Sequence, residues 1–253
     1  MRYFFTLILF LAASLWWFSD AQILNAESLR KATDTSGFSG SASLDFALKR
    51  NTRNFTTFSS DIHVQYKMEK HLVLLKSDLA FQKIEGSDVE NSSILHLRYN
   101  YKLSDRFTWE AFSQLQNNKI NLIDLRALAG TGVRYKLTTS EKYRFYIGTL
   151  AMYEHEKLDD GVTPIQKNLR NSSYVSFSLY PNENVSIIST TYYQPILENF
   201  SDYRISNQSS LRVGMFKNVS LKVSYTFTYD TFPAVGIPSS QYDFSTGLSY
   251  SFD

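Results

Sequence analysis

The chain has 253 residues, a net charge of +2, 43% hydrophobic and 20% charged residues, and no cysteine. It lacks the series of apolar runs of about 20 residues that a helical membrane protein needs. The missing thiols exclude a disulfide framework, a thiolate nucleophile and lipidation on cysteine. Aromatic residues reach 15%, with 17 Tyr and 19 Phe, a composition that suits strands and bilayer interfaces.

The N-terminus stands apart. Arg2 precedes an apolar run that ends near Leu15, and Ser19 and Ala21 offer small residues at a cleavage site. This predicts a secretory signal peptide over residues 1–21, because the run is short for a spanning anchor. A polar lead-in follows at 22–36, and 37–253 reads as one domain of ordinary barrel length.

Twelve strands are predicted, at 37–49, 56–69, 71–83, 92–103, 106–116, 124–137, 142–155, 170–180, 184–195, 202–215, 218–229 and 241–252. Period-two alternation identifies them. In the fourth, Leu95, Leu97, Tyr99, Tyr101 and Leu103 oppose His96, Arg98, Asn100 and Lys102. In the eleventh, Val219, Leu221, Val223, Tyr225, Phe227 and Tyr229 oppose Ser220, Lys222, Ser224, Thr226 and Thr228. The last strand sets Tyr242, Phe244, Leu248, Tyr250 and Phe252 against small or polar residues.

A soluble β-sandwich would turn the apolar faces inward, whereas a membrane barrel turns them to lipid. The connections favour the barrel. Tight ones near Lys70, Ser104, Ser140, Asn182 and Lys217 alternate with longer ones at 85–91, 117–123, 156–168, 196–201 and 230–240. Short periplasmic turns and long outer loops are the expected asymmetry. Aromatics at strand ends predict two interfacial girdles, with Tyr99, Tyr101, Trp109, Tyr135, Tyr250 and Phe252 on the periplasmic side and Tyr229 on the outer side. The implied partners are outer-membrane lipid and, through the aromatic-ended last strand, the barrel-assembly machinery.

Two blocks carry a family resemblance. One is Gly37-Phe-Ser-Gly-Ser-Ala-Ser-Leu-Asp-Phe-Ala-Leu48 with the hairpin Asn51-Thr-Arg-Asn54; the other is Asp124-Leu-Arg-Ala-Leu-Ala-Gly-Thr-Gly-Val-Arg-Tyr-Lys-Leu137. The chain resembles the salt-induced outer-membrane proteins, the family of domain of unknown function 481. The resemblance implies a Gram-negative outer-membrane barrel with salt-linked expression, and it supplies no catalytic residues.

Enzyme chemistry finds little footing. A barrel phospholipase needs a His with Ser two residues on, and the positions after His63, His71, His96 and His155 hold Gln65, Val73, Arg98 and Lys157. Glu154-His155-Glu156 with Asp159 and Asp160 imitates a rim protease or cation site, but reads more simply as a charged strand end. No zinc, phosphate-loop or paired-Cys motif is present, so neither a metal nor a cofactor is expected. Asn-x-Ser/Thr triplets recur and read as chance in an Asn- and Ser-rich chain.

The predicted register turns Lys49, Lys67, Lys76, Arg98, Lys102, Arg106, Arg126, Arg134, Lys136, Arg144, Arg170, Arg204, Arg212 and Lys222 inward, against Asp45, Asp61, Glu69, Asp78, Glu110, Glu154 and Asp243. Acids such as Glu156 and Asp202 fall in the outer loops. A lumen with twice as many bases as acids would concentrate small anions. Basic residues spread around a lumen do not form a nucleic-acid face. The leading expectation is therefore a narrow, anion-preferring channel. The alternatives are a closed structural or envelope-stress barrel filled by ion pairs, and a rim hydrolase.

Overall fold

A computed structural model describes residues 36–50, 54–84, 87–138, 140 and 142–252. The expected signal peptide and the Asn-rich hairpin tip lie outside the described residues. The strands are β1 (Gly37–Arg50), β2 (Asn54–Met68), β3 (His71–Ile84), β4 (Ser87–Lys102), β5 (Phe107–Asn118), β6 (Ile123–Lys136), β7 (Tyr143–Leu158), β8 (Gln166–Asn182), β9 (Val185–Pro195), β10 (Tyr203–Phe216), β11 (Val219–Asp230) and β12 (Ser240–Phe252). Each pairs antiparallel with its sequence neighbours, and β1 meets β12 to close an up-and-down barrel. Closure removes the unpaired edges that a flat sheet would expose.

The two faces separate as alternation requires. Ile62, Val73, Leu75, Leu79, Leu95, Leu97, Leu115, Val175 and Leu248 are exposed on the outside. Gln65, His96, Arg98, Asn100, Glu110, Gln114 and Arg134 are buried inside. A polar interior within an apolar exterior is the inversion that lipid imposes on a barrel. Tyr99 packs edge-on against Trp109, Phe107 against Tyr135, and Tyr203 between Tyr193 and Tyr229. These pairs stand at the strand ends where the girdles were predicted. Tyr101 packs tilted against His71, and Tyr250 is exposed on the same periplasmic side. The Phe252 backbone pairs with Gly40; its side chain lies outside the described ones.

The outer strand ends run further than predicted. β4 begins at Ser87, β7 continues to Leu158 and β8 starts at Gln166. The reason is physical: beyond the hydrocarbon the ladder still bonds, but water meets both faces and apolar alternation no longer marks it. The loops expected at 85–91 and 156–168 are correspondingly shorter.

The turn linking β2 to β3 puts Glu69 at φ 48, and the turn linking β10 to β11 puts Asn218 at φ 65. Left-handed backbone suits Asn and Gly but costs a branched or long side chain about 1 kcal/mol. Glu69→Gly is therefore expected to stabilise the barrel by roughly 0.5–1 kcal/mol, measured as a higher urea midpoint for the refolded protein. A lower midpoint would show that the Glu69 side chain contributes more than its backbone strain removes.

Candidate functional site: the barrel lumen

The lumen is filled in three tiers. Nearest the periplasm, Glu110 is 0% exposed between Arg98 (4%) and Arg134 (2%). Arg134 Nη1 lies 3.2 Å from Glu110 Oε1, and Arg98 Nη1 lies 3.9 Å from Oε2. The Tyr174 hydroxyl donates to Glu110 Oε2 across 2.8 Å. Arg134 lies over the Tyr146 ring and Arg98 over Phe112.

The middle tier is apolar. Leu150, Tyr174 and Tyr192 form a buried cluster with Phe112 against it. Glycines on the facing strands make the space. A Cβ at Gly130 would meet Phe112 Cε1 at 2.5 Å, and one at Gly148 would meet Tyr174 Cε1 at 2.2 Å. At Gly132 the obstacle is backbone, Thr149 O at 2.1 Å. Gly130 of the second sequence block thus admits Phe112 into the lumen, Gly148 on the next strand admits Tyr174, and Gly132 lets the β7 backbone come close.

The outer tier is an ion-pair lattice. Glu154 and Glu156, 0% and 1% exposed, alternate with outward-facing residues on β7 and so share its inner face. Arg126 reaches them from β6, Arg170 from β8 and Arg204 from β10. Arg170 Nε donates to Glu154 Oε2 at 2.6 Å and Arg204 Nη2 to Glu156 Oε2 at 2.7 Å. Further guanidinium donors take Asp202 (3.1 Å), Asp230 (2.6 Å) and the Gln194 carbonyl (3.1 Å). Arg204 spans from β10 to β7, a chord over β8 and β9.

Above the lattice the 231–239 loop folds inward, burying Ala234. The Val235 N–H donates to Asp160 Oδ2 of the 159–165 loop at 3.3 Å. Beneath lies a cavity of about 60 Å³, lined by Asn121, Arg126, Glu156, Arg204, Asp230 and Phe232 among others. Asp160 also accepts from the Thr163 hydroxyl and from the backbone N–H groups of Thr163 and Val162. These donors, Thr163 first, hold its carboxyl well below the usual carboxylate range.

The wall running from β10 through β12 to β2 is different. Several of its inward positions, Ser41, Ser210, Ser224, Gly247 and Ser249, are small and partly exposed, while Ser39, His63, Gln65, Ser206 and Thr226 are buried. Arg212 and Lys222 are half-buried there. Lys76 binds Asp61 at 2.7 Å and also Asp78, yet the Asp61 side chain remains 42% exposed. Arg144 rests on the Tyr180 ring, and Lys102 stands at the periplasmic rim with Nζ 2.8 Å from Asp105.

Sequence reading missed part of this site. The sequence places Glu156, Asp202 and Asp230 in outer loops, yet all three join the lattice; Glu156 simply continues the period-two face of Glu154. The inward aromatics Phe112, Tyr146, Tyr174 and Tyr192 were not anticipated either. His155 faces away from Glu154 and Glu156, so that triplet does not converge. Among the described residues no group of three or more His, Asp and Glu could hold a metal ion.

Such a lumen inside an apolar exterior defines a transmembrane β-barrel of porin-like build. The chain belongs to the family described as "Protein of unknown function, DUF481", whose model matches residues 32–252. That description says nothing of salt induction. No curated protein matches the chain. The fold is similar to that of the NanC porin, with a TM-score of 0.52 and 11% identity over 84% of this chain and 97% of the other. It is also similar to the translocator domain of the autotransporter NalP from Neisseria meningitidis, with a TM-score of 0.51 and 10% identity over 98% and 95% of the two chains. At these identities the likeness establishes architecture.

Two predictions follow from the geometry. Gly132→Ala is expected to destabilise the barrel by about 1–3 kcal/mol, since its methyl meets backbone; an unchanged urea midpoint would contradict the packing. Because the pKa of Asp160 is lowered on folding, its contribution is present above the unfolded value and is lost only as pH falls through the folded one. The 231–239 loop should therefore resist proteolysis unchanged down to about pH 4, near the unperturbed value for Asp. Asp160→Ala should make it susceptible at neutral pH.

Proposed function

We propose that this protein is a bacterial outer-membrane barrel that forms a narrow, low-conductance channel for small solutes, with a mild preference for anions. The carrying observation is the asymmetry of the lumen. One wall sends aromatics and ion pairs across, while the β10–β12–β2 wall keeps small side chains and leaves Asp61 exposed. A mid-strand, inward side chain is exposed only where water can stand beside it, so water reaches the strip of this wall around Asp61, Arg212 and Lys222.

Described charges on the strip and the adjoining β3 face are Lys67, Lys76, Arg212 and Lys222 against Asp61 and Asp78, an excess of two positive charges. Such an excess in a confined aqueous path favours anions. The preference is weaker than composition alone predicts, because Glu156, Asp202 and Asp230 occupy Arg126, Arg170 and Arg204. The apolar exterior, the girdles and the short-long alternation of connections support insertion with the short turns in the periplasm. Assembly through the C-terminal strand and salt-linked expression belong to the same reading. No enzymatic role is proposed.

One observation favours a non-conducting barrel instead: the Glu154–Glu156–Arg204 lattice spans the outer mouth beneath the inward-folded loop. Planar-bilayer recording of the refolded protein in a salt gradient separates the two. The channel reading expects a small steady conductance with an anion-side reversal potential. Arg212→Glu with Lys222→Glu turns the strip's excess of two positive charges into an excess of two negative charges and should move the reversal potential to the cation side. Unchanged selectivity would sink the anion preference. Heat-modifiable, inserted protein without conductance would establish the closed barrel.

A further inference from the structure

The outer surface is not uniformly apolar. On β7 to β10 the mid-strand outward positions are Thr149, Ala151, Asn171, Ser173, Ser189, Thr191, Asn207 and Ser209, polar but for Ala151. The polar ones form two copies of one arrangement. On β7–β8, Asn171 Nδ2 donates to Thr149 Oγ1 at 2.9 Å and Ser173 Oγ to Asn171 Oδ1 at 2.5 Å, with the two hydroxyls 3.1 Å apart. On β9–β10, Asn207 Nδ2 donates to Thr191 Oγ1 at 2.9 Å, and Ser209 Oγ lies 2.9 Å from Asn207 Oδ1 and 2.8 Å from Ser189 Oγ. Each copy is an Asn-x-Ser segment beside the preceding strand's hydroxyls, Thr149 in the first and Ser189 and Thr191 in the second.

Apolar residues flank the patch along the strands. Tyr153, Tyr193 and Tyr203 stand toward the outer ends, and Ile147, Val175 and Leu211 toward the periplasm. Four strands spaced about 4.8 Å apart make the polar area roughly 15 Å wide. It therefore sits at the depth where, on the membrane reading above, hydrocarbon would cover it. An amide oxygen has two lone pairs and an amide nitrogen two hydrogens. Asn207 Nδ2 also reaches Ser189 Oγ at 3.1 Å and the Thr190 carbonyl at 3.4 Å, so Asn207 keeps capacity on its oxygen and Asn171 on both amide atoms, capacity that lipid tails cannot use.

We propose that this face is the contact between two copies of this chain in the membrane. The patch carries no charge, which leaves an ionic partner or a lipid headgroup nothing to pair with. Asn, Ser and Thr each offer donor and acceptor, so the surface complements itself. A two-fold axis near β8–β9 brings the β7–β8 motif of one copy against the β9–β10 motif of the other, and reciprocally. That is the isologous geometry of a symmetric dimer. Small side chains also permit close approach of the two walls, as they do between membrane helices. The inference rests on membrane insertion and is independent of whether the lumen conducts.

The chain's lack of cysteine permits single-site reporters. Thr191→Cys places one thiol beside the axis, and Leu97→Cys places one on an outward strand of the opposite wall. Each full-length variant is refolded into phosphatidylcholine liposomes and oxidised with copper phenanthroline. A disulfide-linked dimer from Thr191→Cys and none from Leu97→Cys is expected. Asn171→Leu with Asn207→Leu in the Thr191→Cys background should lower the cross-linked fraction at least about tenfold, folding being checked by heat-modifiable mobility. Equal cross-linking at both sites, or a monomer at both, overturns the proposal. If the double-leucine variant fails to fold, the two cysteine reporters decide alone.

Discussion

Two glutamates buried side by side govern the outer half of this barrel. Glu154 and Glu156 project from one face of β7, where like charges repel and neither meets bulk water. They stay there because three guanidiniums converge on them, two from neighbouring strands and one from across a chord of the lumen. Removing one partner from such a cluster leaves an uncompensated buried charge, typically a cost of about 3–5 kcal/mol. Each guanidinium also has five donors to satisfy, which is why Asp202 and Asp230 are drawn in from the strand ends. The extension of β7 beyond the apolar run follows from the same demand, since Glu156 holds its place only while the ladder continues beneath it.

Shape rather than charge organises the middle of the lumen. Twelve strands enclose more space than eight, where side chains readily fill the interior, and less than the sixteen that leave an open channel. Here one wall solves the problem by pairing large with absent side chains: Phe112 and Tyr174 extend over Gly130 and Gly148. The described inward side chains of the opposite wall include several small ones, Ser41, Ser210, Ser224 and Ser249. Filling by the described side chains is thus eccentric, heaviest where Phe112, Tyr146, Tyr174 and Tyr192 project inward.

Much of the architecture was legible in the sequence because lipid imposes a strict rule. Strands that must face hydrocarbon on one side alternate, and the twelve alternating segments are the twelve strands of the structure. The rule lapses above the membrane, so the ends of β4, β7 and β8 were misplaced and Glu156 was read as loop. The contents of the lumen were less legible. Counting inward charges treats them as a sum, whereas Arg204 and Glu156 are partners only because β10 and β7 face each other at the same height. Likewise Gly132 could be recognised as part of a family pattern, but its reason is the Thr149 carbonyl on the next strand. Tyr174 sits on an inward face with Arg170, Ser172 and Ser176; a search for polar lining passes over it.

The seam between β1 and β12 has consequences of its own. Among the described residues only Gly40 with Phe252 and Ser41 with Ser251 join the two strands. The other neighbouring strands are joined by hairpins, so their contacts are local in sequence, while this one links opposite ends of the chain. Bringing such distant segments together carries the largest loop-closure entropy in the fold, and long-range pairing slows folding. Closure is therefore the natural last step of assembly. A nascent chain arrested before its final strand would carry two raw edges, each able to recruit a strand from another molecule.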